Sequence, residues 1–175
     1  MEDLILHKKI FWIRITEKVM LLTYAFALFA IPLLISWPQL LVGSMVNFIL
    51  ILAALHYKNY KTMLPLVILP SIAAVLHGVM FWPFSVFLVY MMPAIRIGNF
   101  ILTSTIQHDT HMLKWILTGW LYKAVFLSII ASLLIYFWIL PVIFLKAMGL
   151  FQLISVLIWW TVMIISKQLR TIYNK

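Results

Sequence analysis

The chain has 175 residues, 66% of them hydrophobic and 10% charged, against roughly 25% charged in an ordinary soluble domain. A soluble fold of this size cannot cover that much apolar surface with polar groups, so lipid must solvate most of it. Thirteen Lys and Arg against four Asp and Glu give a formal charge of +9, and the lack of cysteine excludes disulfides, thiol nucleophiles and thiolate metal sites.

The excess of positive charge forms no basic stripe and belongs to no nucleic-acid module, so nucleic acid is not an expected partner. Anionic lipid headgroups are. Residues 1–18 come first and are amphipathic: Leu4, Ile5, Ile10, Phe11 and Ile13 alternate with His7, Lys8, Lys9 and Arg14. They read as a cytoplasmic segment that either lies on the membrane surface as a helix or forms an ordinary basic flank. No small-residue cleavage site follows the first apolar run, so that run reads as a retained helix rather than a signal peptide.

Six apolar runs then fill residues 19–166: roughly 19–35, 39–56, 62–81, 84–106, 112–139 and 142–166. Each is near the ~20 residues needed to cross ~30 Å of hydrocarbon. The first two are short, and the fifth is long enough to tilt. Apolar residues run continuously rather than alternating, which excludes a β-barrel pattern. The predicted fold is therefore an all-α membrane protein with six transmembrane helices in one bundle. The breaks are brief: Ser36-Trp37-Pro38, His56 through Lys61, Trp82-Pro83, Gln107 through His111, and a turn at Pro141. A basic cytoplasmic tail, 167–175, closes the chain.

Basic residues set the expected orientation. With the N-terminus in the cytoplasm, Lys8, Lys9, Arg14, Lys18, Lys58, Lys61, Lys114, Lys167, Arg170 and Lys175 all fall on the cytoplasmic side, and only Lys146 lies outside. Both termini are then cytoplasmic. Arg96 and Lys123 remain inside the membrane, about twelve and eleven residues into spans four and five.

A charge at mid-bilayer costs about 2.5–3.5 kcal/mol on insertion scales. The four acids, Glu2, Asp3, Glu17 and Asp109, all fall at the cytoplasmic surface, so neither cation has a carboxylate at its own depth. Three arrangements are open. The cations face a wet cavity, they bond to carbonyls freed by a helix break such as Pro93, or they meet an anionic ligand. The last is the expectation here, because other polar groups gather near that depth. Ser36, Gln39, Gly43 and Asn47 form one helical stripe on span two. Arg96, Asn99 and Thr103 share a face of span four, and Gln152, Ser155 and Trp159 a face of span six. Gln39, Asn47, His77 and Gln152 are expected close to the level of Arg96 and Lys123, with Asn99 and Thr103 nearer the cytoplasm. Trp120 and Trp159 offer an aromatic wall. The plainer reading of each Asn or Gln is an interhelical hydrogen bond worth about 0.6 kcal/mol.

Other chemistries find no support. The five glycines stand apart, so no phosphate loop exists. No HExxH-type pair is present, and His108 and His111 beside Asp109 read as a solvated loop, so no metal or cofactor is expected. No Ser, His and acid occur together at membrane depth, which argues against an intramembrane hydrolase.

The run Pro38-Gln39-Leu40-Leu41-Val42-Gly43-Ser44-Met45-Val46-Asn47 resembles a segment of the substrate-binding S components of energy-coupling factor (ECF) transporters, which are small six-helix membrane proteins. The resemblance continues through Leu69-Pro70-Ser71, His77-Gly78, Met92-Pro93-Ala94, Gly98-Asn99 and Lys123, over roughly residues 32–130. It implies a non-enzymatic binder of a vitamin-like or metal solute in an outward-facing pocket, set in a prokaryotic cell membrane. Its implied partners are a transmembrane coupling protein and two ATPase subunits. The family docks through a small-residue face of the first helix. Ala25, Ala27 and Ala30 stand there, with Phe29 where the strict AxxxA spacing from Ala25 needs alanine.

The expected function is thus the solute-binding subunit of an ECF-type importer. Its site would draw on Gln39, Asn47, His77, Arg96, Asn99, Lys123, Gln152, Trp120 and Trp159, and Arg96 and Lys123 would pair with an anionic solute. Two alternatives stand beside it: a structural or assembly subunit of a larger membrane complex, and a small lipid-modifying enzyme using His77 as acid or base.

Overall fold

In lipid, a backbone must satisfy its own hydrogen bonds, and uninterrupted runs of Leu, Ile, Val, Phe and Ala do so as helices. The computed structural model describes residues 2–35, 39–81, 85–107, 112–155, 157–158 and 161; these are helical apart from short turns, with no strand among them. In chain order the helices are α1 (Glu2–Leu34), α2 (Gln39–His56), α3 (Tyr60–Phe81), α4 (Ser85–Gln107) and α5 (Met112–Tyr136), followed by a last helix, Ile143–Ser155. The loops at Trp37-Pro38, at Trp82-Pro83 and around His108, Asp109 and His111 lie outside the described residues, as does the tail 167–175.

Among the described residues, four segments are long and apolar enough to cross a membrane: Ile15–Leu34, Tyr60–His77, Phe87–Gln107 and Lys114–Tyr136. The chain is read as an integral membrane protein on that basis. Its outward faces agree. Along α5, Leu121, Val125, Ile129 and Leu133 recur every fourth residue and are each about half exposed, an apolar stripe suited to acyl chains.

The N-terminal segment differs from expectation. Residues 2–34 form one continuous helix of 33 residues, about 50 Å long at ~1.5 Å per residue. No break separates an amphipathic segment from the first span. Nothing in residues 14–19 interrupts helical hydrogen bonding, since neither Gly nor Pro occurs there.

The helix ends follow local chemistry. Asn59 starts α3: its Oδ1 accepts the Lys61 N–H at 3.0 Å, and its carbonyl accepts from Thr62 and Met63, an N-cap arrangement. At the end of α5, Ile139 N–H donates to Leu134 O and Trp138 N–H to Ile135 O. That is a Schellman ending, with the left-handed position usually given to glycine. Here Trp138 takes it, at φ 59°, and its ring is 95% exposed. Pro141 follows, and helix resumes at Ile143.

One end of the bundle is tied together by polar contacts. Tyr57 Oη donates to Glu17 O at 2.8 Å, Gln107 Nε2 donates to Tyr57 O at 2.7 Å, and Tyr24 Oη meets His56 Nδ1 at 3.2 Å. Lys18, Lys58, Lys61 and Lys114 lie exposed at this basic end. Two apolar clusters fill the interior. One joins Leu28, Leu50, Ile51, Met63, Leu66, Leu102, Ile116 and Trp120. The other joins Met91, Ala94, Leu127, Ala131, Leu140 and Phe144.

Without a hydrophobic drive between helices in lipid, small residues set how closely they approach. A Cβ on Gly119 of α5 would stand 2.0 Å from Thr105 Oγ1 and 3.3 Å from Leu102 O of α4. The Thr105 hydroxyl is bonded to Ile101 O and Leu102 O, so moving it aside gives up those contacts. Gly119→Ala should therefore destabilise the protein by about 1–3 kcal/mol, despite alanine's better helix propensity. Unfolding in mixed micelles checks this, and Thr105→Ala in the same chain should recover much of the loss.

Candidate functional site

Four of the predicted residues meet. Lys123 on α5 is 3% exposed, and its ammonium donates at 2.5 Å to Asn47 Oδ1 on α2 and at 2.5 Å to Asn99 Oδ1 on α4. Asn47 Nδ2 donates to Gln152 Oε1 on the last helix at 2.9 Å. Asn99 Nδ2 donates to Val67 O on α3 at 3.2 Å. Five helices are linked through one ammonium and three side-chain amides.

The amide orientations are set by the cation. Both Asn oxygens must face the ammonium, so both amide nitrogens point away and need acceptors. Gln152 and the Val67 carbonyl supply them. Thr103 Oγ1 donates to Asn99 O at 3.1 Å, adding a side-chain bond one turn along α4.

Room for the lysine comes from Gly98, one residue before Asn99. A Cβ there would stand 3.2 Å from Lys123 Cγ, so α4 admits the lysine stem against its backbone. Gly43 on α2 differs: a Cβ there would stand 3.6 Å from Gln152 Nε2, an ordinary van der Waals contact, so that position does not require glycine. Gly149 on the last helix lies against Ser128 of α5, whose Oγ would be 2.7 Å from an added Cβ. A π-helical turn at Lys146–Leu150 precedes Gln152 and changes the face on which it emerges.

The network sits at mid-depth. Lys123 is nine residues from Lys114, Asn99 eight from Gln107 and Asn47 nine from His56, each about 12–14 Å from the basic end at ~1.5 Å per residue. Asn99 therefore shares the layer of Lys123 and Asn47. Sequence position along α4 puts Asn99 nearer the basic end than Arg96, yet its side chain is level with Lys123. On α5, Trp120 belongs to one apolar cluster and Leu127 to the other, so the polar layer lies between them.

The remaining candidates fall elsewhere. Arg96 is half-buried; its Nε donates to Ser71 Oγ on α3 at 3.1 Å, and its Nη2 lies 3.4 Å from Met92 Sδ. Ser71 in turn donates to Ile68 O. Arg96 thus uses a hydroxyl and a thioether, not the carbonyl freed by Pro93. Lys123 likewise uses side-chain oxygens rather than backbone. The two cations occupy different interfaces and form no common pocket among the described residues. His77 Nδ1 meets Leu33 O of α1 at 2.7 Å, near the opposite end of α3. Trp120 is fully buried in the core, and its Nε1 has no partner among the described residues; it packs among aliphatic side chains rather than forming a wall for a solute. The side chains of Gln39 and Trp159 lie outside the described residues.

On α1, Ala25 packs against the first apolar cluster with Leu21, Tyr24 and Ile31. Ala27 and Ala30 are half-buried. The outward face carries Val19, Leu22 and Phe26 instead. Gly98 is a site residue that reading single polar side chains did not single out. Its signal was adjacency, since it precedes Asn99; Ser71 serves Arg96 and lies outside the network.

Magnitudes favour a stable network. Hydrogen bonds to a charged group contribute about 1.5–3 kcal/mol each, so two of them offset an insertion cost of about 2.5–3.5 kcal/mol. The neutral amides accept from the ammonium but bring no compensating charge.

Losing the lysine and losing its acceptors should differ. Lys123→Met leaves two amide oxygens without a donor and should cost about 1–3 kcal/mol. Asn47→Leu with Asn99→Leu leaves a buried ammonium without acceptors and should cost about 3–5 kcal/mol. Reversible unfolding in mixed micelles ranks the two.

Compared with protein-family models, with curated proteins and with solved structures, the chain matches none.

Proposed function

We propose that the chain is a membrane-embedded, non-catalytic solute-binding subunit of an ECF-type importer, taking a small anionic solute. The observation that carries this reading is the Lys123 ammonium, held at mid-depth by neutral amides with no carboxylate in α2, α3, α4 or α5. An anionic group would cancel that charge in a medium of low dielectric, where the gain is largest. Gln152 Nε2, beside Gly43, offers an amide donor next to the same site. Arg96, at the α3–α4 interface, is not part of the binding set in this reading.

The crossing number and orientation belong to the same proposal. α2 and the last helix complete six crossings, and the basic end faces the cytoplasm by the positive-inside rule. The surrounding bilayer is a prokaryotic cell membrane, and the working partners are a transmembrane coupling protein and two ATPases.

A second reading is a structural subunit of a larger membrane complex. Two observations favour it. Lys123 already has two acceptors within the chain, and only 11% of the Ile15–Leu34 span is buried against the rest of the protein, compared with 33–39% of the other three spans. Such an exposed helix suits a protein neighbour.

Native mass spectrometry of gently extracted protein separates the readings. A small anionic ligand on the wild type, absent from folded Lys123→Met and retained by Arg96→Met, is the expected result. An empty wild type that carries only protein partners overturns it in favour of the second reading. Orientation is tested in a chain that naturally lacks cysteine: in intact cells a membrane-impermeant maleimide should label Val142→Cys and spare Lys58→Cys.

A further inference from the structure

A second site lies on the outside of the bundle, away from Lys123. Tyr60, Phe100, Ser104, Thr105 and Trp115 line a groove of about 510 Å³ where α3, α4 and α5 meet, within the roughly 300–1,000 Å³ of small-molecule sites. Tyr60 opens α3, Trp115 stands in the first turn of α5, and Ser104 and Thr105 stand in the last turn of α4. Phe100 is seven residues from the end of α4, about 10 Å deeper at ~1.5 Å per residue. The groove therefore starts at the basic end and runs toward the bilayer centre.

Its walls are apolar. The Tyr60 and Phe100 rings lie 6.2 Å apart, tilted by 40°. The Ser104 hydroxyl donates to Ile101 O, and the Thr105 hydroxyl to Ile101 O and Leu102 O. Those protons are used within α4 and are not offered to an occupant. Lys61 and Lys114, each next in sequence to a lining residue, are exposed at the same end of the bundle, and α3, α4 and α5 themselves carry no acid.

An apolar channel of interfacial depth that opens at the lysine-bearing end of the bundle matches one chemistry. We propose that this groove holds an anionic phospholipid, with an acyl chain between the Tyr60–Phe100 pair and Trp115 and its phosphate toward Lys61 and Lys114. A zwitterionic lipid fills the same channel but gains less from the lysines. This site is independent of the solute reading, since no residue is shared with the Lys123 network.

The test uses the full chain in nanodiscs of equal phosphatidylglycerol and phosphatidylcholine, with retained lipid read by native mass spectrometry. Wild type should keep one phosphatidylglycerol in preference to phosphatidylcholine. Ser104→Phe, which fills the groove, should lose it. Lys61→Gln and Lys114→Gln should each lower the preference roughly fivefold while a lipid is still retained. These two act on exposed side chains, so the outcome does not depend on whether Ser104→Phe folds. Added inorganic phosphate should leave the lipid bound. Equal retention of both lipids by wild type, a preference unchanged in the double lysine variant, displacement by phosphate alone, or a protein partner that occupies the groove in place of lipid would each overturn the proposal.

Discussion

The structure depends on how one buried ammonium is accommodated without an acid. Lys123 lies within an interior of Leu, Ile, Met and Phe, and no carboxylate occurs on any helix that packs around it. A bare charge at that depth would be expelled or neutralised. The chain instead surrounds it with amide oxygens from two helices, and those amides are themselves held by a third side chain and a backbone carbonyl. The relative rotation of α2, α4 and α5 follows, because a helix turned by one residue, about 100°, would carry its Asn or Lys out of reach. In lipid, where apolar faces discriminate poorly among themselves, such a polar layer between two apolar clusters is a source of register that hydrophobic packing alone lacks.

Glycine placement makes that layer possible. Gly98 lets the lysine stem lie against α4, Gly119 brings α4 and α5 together near Thr105, and Gly149 seats the last helix on Ser128. Each removes a side chain at an interhelical contact, not at a turn. The π-helical turn at Lys146–Leu150 belongs to the same set of adjustments, since it lies between the Pro141 turn and the Gln152 amide that orients Asn47. The local devices of the last helix are thus coupled to a site on α2 more than a hundred residues earlier in the chain.

The polar residues of the membrane interior divide by partner. Arg96 is served by Ser71 and Met92, His77 by a carbonyl of α1, and Lys123 by the amides. The last group joins five helices. Grouping by helical stripe placed Arg96, Asn99 and Thr103 on one face, and they do lie at i, i+3 and i+7. Arg96 and Asn99 both reach α3, at Ser71 and Val67, but Asn99 also reaches Lys123 on α5.

Much was legible from residue type and order. Lipid as solvent, helices as the elements of the described residues, the bend at Pro141 and the basic end follow from apolar run length, backbone satisfaction and the positions of Lys and Arg. Lys123, Asn47, Asn99 and Gln152 were recognisable as candidates because polar groups at membrane depth are costly and need partners. Which partner each found was not legible: Asn47 and Gln152 are 105 residues apart, and no period within one helix encodes a contact between two. The joining of residues 2–18 to the first span turned on the absence of any interrupting residue, which the amphipathic pattern alone did not weigh. The outer groove was hidden for the same reason as the amide network, since three helices contribute to it and it exists only where they meet. Sequence alone determined the solvent, the element type and the cost of each buried charge, because these are properties of single segments; only tertiary structure decided how each charge is met, because that is a property of the angles and rotations between helices.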